Sequence, residues 1–79
     1  MRLDKWLKVS RLIKRRTVAQ EACDAGRVSV NGRTAKPSAE VRPGDTVEIT
    51  FGANTLRAEV LSVQETVKKD DAAAMYREI

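Results

Sequence analysis

The chain has 79 residues with 15 Lys/Arg, 11 Asp/Glu, no histidine and a net charge of +4. A chain this short makes one domain with a small core and little room for a deep catalytic pocket. The single cysteine, Cys23, excludes an internal disulfide and, without histidine, a Cys/His zinc site, and no cofactor is expected. No apolar run approaches the roughly 18 residues of a membrane span, and the N-terminus lacks the apolar region of a secretory signal. The expected setting is a reducing cytoplasm, with no membrane partner.

Residues Arg2–Ser10 read as a two-turn helix in which Leu3, Trp6, Leu7 and Ser10 form one stripe at i, i+3, i+4 and i+7. Lys5 and Lys8 fall opposite, and Arg2 flanks them. Trp6, inside the stripe, is expected in the core rather than on a base.

The next stretch, Ser10–Thr17, carries Arg11, Lys14, Arg15 and Arg16, with Leu12 and Ile13 between them to pin it to the body. Thr17 followed by Gln20 has the form of a capping box and predicts a helix from Thr17 to about Ala25. Cations just ahead of a helix oppose its macrodipole at about 0.3–1 kcal/mol each. An anion resolves the conflict, with Lys14, Arg15 and Arg16 converging on one phosphate at the helix start. Arg16, next to the expected cap, is read as a contact that stability does not need. The competing reading is a solvated charge run with no ligand.

In this second helix Val18, Ala22 and Ala25 form a small-residue face for a neighbouring helix, with Ala19 and Cys23 beside it. Gln20, Glu21 and Asp24 are expected to point away, and Gly26 supplies the residue that ends the helix. Cys23 reads as a small buried hydrophobe.

From Arg27 the period becomes two. Arg27–Val30 is a short strand, Asn31-Gly32 a two-residue hairpin signal, and Arg33–Ala35 the return. Lys36–Arg42 reads as a loop around Pro37, and Pro43-Gly44-Asp45 as a turn. Thr46–Phe51 follows with Val47, Ile49 and Phe51 inward, and Thr55–Val63 forms the last expected strand. Residues 64–79 read as a tail in which Asp70 or Asp71 caps a short helix over 72–76. The result is an α+β domain over 1–63, two helices on a small curved, mainly antiparallel sheet, plus the tail.

Charge is unevenly placed. Residues 1–20 hold seven cations against Asp4 alone, a charge of +6, while residues 21–79 carry −2. A focused basic patch steers a polyanion to one face.

The ordered motifs Arg2-Leu3-Asp4-Lys5-Trp6-Leu7, Ser10-Arg11, Lys14-Arg15-Arg16-Thr17 and Ala25-Gly26-Arg27-Val28-Ser29-Val30-Asn31-Gly32 resemble the S4 RNA-binding domain. The likeness continues through Lys36-Pro37 and Val41–Asp45. It implies the S4-like (alpha-L) fold, with the helical pair facing RNA. The free-standing domain with a short tail resembles the heat-shock-protein-fifteen group, and Met1–Ile13 together with Lys68-Lys69 and Ala72–Tyr76 resembles in particular its short Gram-positive members, which serve ribosome-associated quality control. That resemblance implies large-subunit rRNA, peptidyl-tRNA and an RqcH-type tailing factor as partners, and a monomer off the ribosome. The contacts it implies are Arg2, Lys5, Arg11, Lys14, Arg15 and Arg16, with Arg27, Asn31 and Lys36 at the periphery.

Two other classes compete. A DNA-binding helix-turn-helix would project donors from its second helix into a groove, but Glu21 and Asp24 are acidic. An enzyme would need a base or nucleophile, and the chain offers no histidine, no activated thiol and no carboxylate pair.

Overall fold

The computed structural model describes residues 1–64 and 69–79. Two helices, α1 (Leu3–Val9) and α2 (Arg16–Asp24), share one core with a five-stranded antiparallel sheet. The stripe in α1 behaves as its spacing predicts: Leu3, Trp6, Leu7 and Ser10 are all buried. Trp6 also donates its indole N–H to the Ser62 carbonyl at 3.0 Å, so the ring is held by a polar contact as well as by packing.

The loop around Pro37 has a structural task. Its carbonyls meet N–H groups that the first turn of a helix leaves without partners: Leu3 donates to Ala39 at 2.7 Å and Asp4 donates to Pro37 at 3.1 Å. At the other end of α1, Ser10 Oγ donates to the Leu7 carbonyl, and Arg11 turns the chain with a left-handed φ of 62°.

The second helix starts one residue earlier than its sequence predicts. Arg15 is the residue before the first turn, Thr17 lies inside the helix, and no side chain caps it. The capping box fails because Gln20 is engaged elsewhere, with Asp4. The far end follows expectation. Arg27 N–H donates to Ala22 and Gly26 N–H to Cys23, both at 3.0 Å, and Gly26 takes the φ of +75° that this paired closure requires. The buried face is also rotated from the expected one. Arg16, Ala19, Gln20 and Cys23 face α1 or the core, whereas Val18 is 45% exposed.

The sheet comprises β1 (Val28–Val30), β2 (Arg33–Thr34), β3 (Thr46–Phe51), β4 (Asn54–Val60) and β5 (Tyr76–Glu78), in the order β2-β1-β3-β4-β5. Asn31 and Gly32, at φ 53° and 82°, form the tight turn between β1 and β2. The inner face holds Val28, Val47, Ile49, Ala58 and Val60, all fully buried. On the outer face Ser29, Glu48 and Arg57 lie in one row and Thr46, Glu59 and Arg77 in another. Cross-strand ion pairs mark both rows, Arg57 with Glu48 at 3.6 Å and Arg77 with Glu59 at 2.6 Å.

Three features depart from expectation. Phe51 does not point into the core; it lies at the end of the β3–β4 hairpin and is 49% exposed. β4 stops at Val60, because Leu61 and Ser62 both donate their N–H groups to the Met75 carbonyl instead of continuing a ladder. The tail forms a 3-10 helix over Lys69–Met75, with Ala72 and Met75 buried, and then returns as β5 against β4. Lys68 and the side chains of Lys69 and Asp70 lie outside the described residues.

Candidate nucleic-acid interface

The basic turn is built by the exits and entrances of the two helices. Ile13 is buried and Leu12 packs against the core, so Arg11, Lys14 and Arg15 stand exposed on a pinned loop. Arg11 is the strained member. A side chain with a Cβ in the left-handed region costs about 1–2 kcal/mol, a cost that glycine would avoid. Stability gives no reason for an arginine there, and such outliers concentrate where function holds them.

Beneath the turn lies a charged hub centred on Asp4, which is fully buried. Its carboxylate accepts from Arg2 Nε and Nη2, each at 3.2 Å, from the Lys5 backbone N–H at 2.8 Å and from Gln20 Nε2 at 2.9 Å. Arg16 adds Nη2 at 3.4 Å from Oδ1, with its Nε 3.3 Å from Oδ2 as an ion pair without a well-angled hydrogen bond. Burial alone would raise the Asp4 pKa. The hydrogen bonds from Gln20, Arg16, Arg2 and Lys5 together outweigh it and hold the carboxyl below its ordinary value.

This hub corrects the reading of Arg16. Its side chain belongs to the first turn of α2, folds back onto Asp4 and ties α2 to α1, so stability does need it. The hub leaves both Arg2 and Arg16 partly open to solvent. Their side chains remain 52% and 41% exposed, and a guanidinium has five N–H donors. With two cations on one anion, the hub keeps a net positive charge.

The remaining expected contacts separate. Lys5 is half-buried on α1. Lys36 and Arg2 line one cleft with Asp24. Arg27 lines a different, apolar cleft beside Phe51. Asn31 is distant in role: its amide nitrogen donates to Asp45 at 3.1 Å and its oxygen accepts the Thr46 N–H at 2.9 Å, clamping the hairpin to β3. Cys23 is buried and its thiol is pushed up to about 11, chiefly by burial, which leaves it protonated and inert at neutral pH. Among the described residues no group of acidic or Cys side chains could hold a metal ion, and no helix is long and apolar enough to cross a membrane.

Asp4 is the centre of this hub, and sequence reasoning missed it. The available signal was its position as the one acid among seven cations in residues 1–20. An acid kept in such a field is more readily explained by partners than by solvent.

Two helices joined by a cationic turn and backed by this sheet are matched over residues 1–47 by the model of the S4 domain. The chain belongs to the S4 domain family. Within it, the chain is 54% identical over 76 residues to the RQC P-site tRNA stabilizing factor of Bacillus subtilis, covering 96% of this chain and 88% of that protein. The factor of the same name in Streptococcus pneumoniae is 57% identical, with 96% and 86% covered. The S4 fold extends beyond the matched residues. Heat Shock Protein 15 of Vibrio cholerae, solved as a trimer, superposes with a TM-score of 0.91 at 31% identity, covering 100% of this chain and 81% of that one. The likeness to the heat-shock-protein-fifteen group is thus one of fold as well as motif.

Proposed function

We propose that this chain is a non-enzymatic, cytoplasmic RNA-binding adaptor of ribosome-associated quality control. It is a monomer off the ribosome, engages large-subunit rRNA and the peptidyl-tRNA of a stalled complex, and supports alanine tailing by an RqcH-type factor. The observation that carries this reading is identity above 50% across 96% of the chain to proteins named for stabilising P-site tRNA. The pinned cationic turn supplies a physical means.

In this mechanism a phosphate sits at the uncapped start of α2, where backbone N–H groups and the positive end of the helix favour an anion. Lys14, Arg15 and Arg11 close around it, while Asp4 holds Arg2 and Arg16 in register so that little side-chain freedom is lost on binding. Recognition is by backbone spacing, as suits an A-form helix whose deep groove side chains cannot read. The exposed Glu21 and Asp24 on α2 disfavour the same helix lying in a DNA groove.

Binding to isolated large subunits should weaken steeply with salt, with log affinity falling by about 0.7–0.9 per phosphate neutralised for each unit of log salt. A slope near zero in a salt titration would sink the mechanism. Sedimentation through sucrose gradients separates the settings, since the adaptor travels with large subunits and a DNA-binding protein with the nucleoid.

Arg11→Gly tests the turn itself. Releasing the left-handed strain should raise the unfolding free energy by about 0.5–1 kcal/mol after allowing for glycine's larger chain entropy. Loss of the guanidinium should meanwhile weaken RNA binding by about ten-fold. A variant that melts higher and binds as before would remove Arg11 from the interface.

A further inference from the structure

The chain has three aromatic side chains, Trp6, Phe51 and Tyr76. Trp6 is fully buried and Tyr76 packs half-buried against the core. Phe51 alone leaves much of its ring in solvent, at the last pair of the β3–β4 hairpin opposite Asn54. With Leu12, Val18, Ala22 and Ala25 it forms an apolar cleft of about 380 Å³ between α2 and the hairpin. Neither the hairpin turn nor the core uses this exposed ring.

The surroundings say what such a cleft can receive. Leu12 and Ile13 line it, and their chain neighbours are Arg11 and Lys14, so one wall is the basic turn itself. Arg27 stands in the cleft lining, and its carbonyl accepts the Thr50 N–H at 2.9 Å, which places it beside the strand that carries Phe51. A cleft continuous with this cationic surface favours a polyanion that also has flat apolar parts. Glu21 lines it too; its carboxylate repels a phosphate but can accept from the amine edge of a base.

We propose that this cleft binds one unstacked nucleobase of the RNA held at the basic turn, with the base stacked on Phe51 and the adjoining phosphates on Arg11, Lys14 and Arg27. The proposal rests on the RNA-binding reading above and adds to it a preference for RNA with an unpaired nucleotide. Stacking on an aromatic ring is the common way proteins hold such bases, and it tolerates any base because each has a π-face.

The test uses the whole chain and two short RNA hairpins, one fully paired and one with a single unpaired nucleotide in the stem. The wild-type protein should prefer the second about ten-fold. Phe51→Ala should abolish the preference, Phe51→Trp should retain it, and neither should change the salt slope. With 5-iodouridine at the unpaired position, irradiation should cross-link the wild-type protein at the peptide containing Phe51, a readout that does not depend on a variant folding. Equal affinity of the wild type for both hairpins, or a cross-link to another peptide, overturns the proposal. So does a Phe51→Ala variant that loses affinity for intact large subunits while keeping its preference between hairpins, since the cleft then faces a protein. A steep salt slope with no Phe51 effect rejects the base site alone, whereas a flat slope rejects the underlying RNA-binding reading.

Discussion

Trp6→Ala should lower the unfolding free energy by about 3–5 kcal/mol, the usual cost of truncating a buried aromatic side chain. The ring is fully buried at the centre of the α1 stripe, and its removal leaves a cavity and strips the Ser62 carbonyl of its donor. Small domains have only about 5–15 kcal/mol in total, so the variant should melt far lower and be partly unfolded at physiological temperature. Thermal denaturation followed by circular dichroism checks this. A variant that melts as the wild type but no longer binds RNA would instead show Trp6 to be a stacking surface.

Asp4→Ala should cost about 2–3 kcal/mol at neutral pH, through lost charge-assisted hydrogen bonds and a small cavity. The figure stays below that for a fully buried ion pair because Arg2 and Arg16 can turn their charges to water. Asp4→Asn should cost less, since an amide keeps some acceptor capacity but not the charge. The pH dependence has a definite sign. A carboxyl held below its ordinary 3.8 contributes its full stability above that value and loses it as pH falls through the lower, folded-state value. Urea titrations should therefore show wild type and Asp4→Asn converging as the pH drops below about 4, and a gap that stays constant into acid would place the effect elsewhere. RNA binding by either variant should also fall, because Arg2 and Arg16 lose the group that orients them.

The same hub shows why some of the molecule was legible in sequence and some was not. The α1 stripe, the Asn31-Gly32 turn and the Gly26 helix end are local patterns, and each is present in the structure. Asp4 draws on Arg16 and Gln20, 12 and 16 residues away, and that long-range demand overrode the local capping signal at Thr17. Phe51 kept its place in a strand yet lost its inward position, because alternation assigns a face of the sheet but does not say how far the core extends beneath the hairpin end. β5 escaped notice for a related reason. Tyr76-Arg77-Glu78 is too short to show a period, and it becomes a strand only because β4 offers an edge. The cations of the candidate interface were legible as a cluster, but their division between those that hold Asp4 and those that stand in solvent was not.

The way the sheet closes has a further consequence for the molecule's behaviour in a crowded solution. By covering β4, the Tyr76–Glu78 segment leaves outer strands of only two and three residues, β2 and β5, bearing Arg33, Arg77 and Glu78. Unpaired strand edges are templates for fibrous self-association, and short, charged ones are poor templates. Among the described residues, self-attraction through backbone ladders is thus blunted at both margins. A neighbouring extended chain, of this protein or another, therefore finds only two or three residues of open backbone to copy at either margin of the sheet.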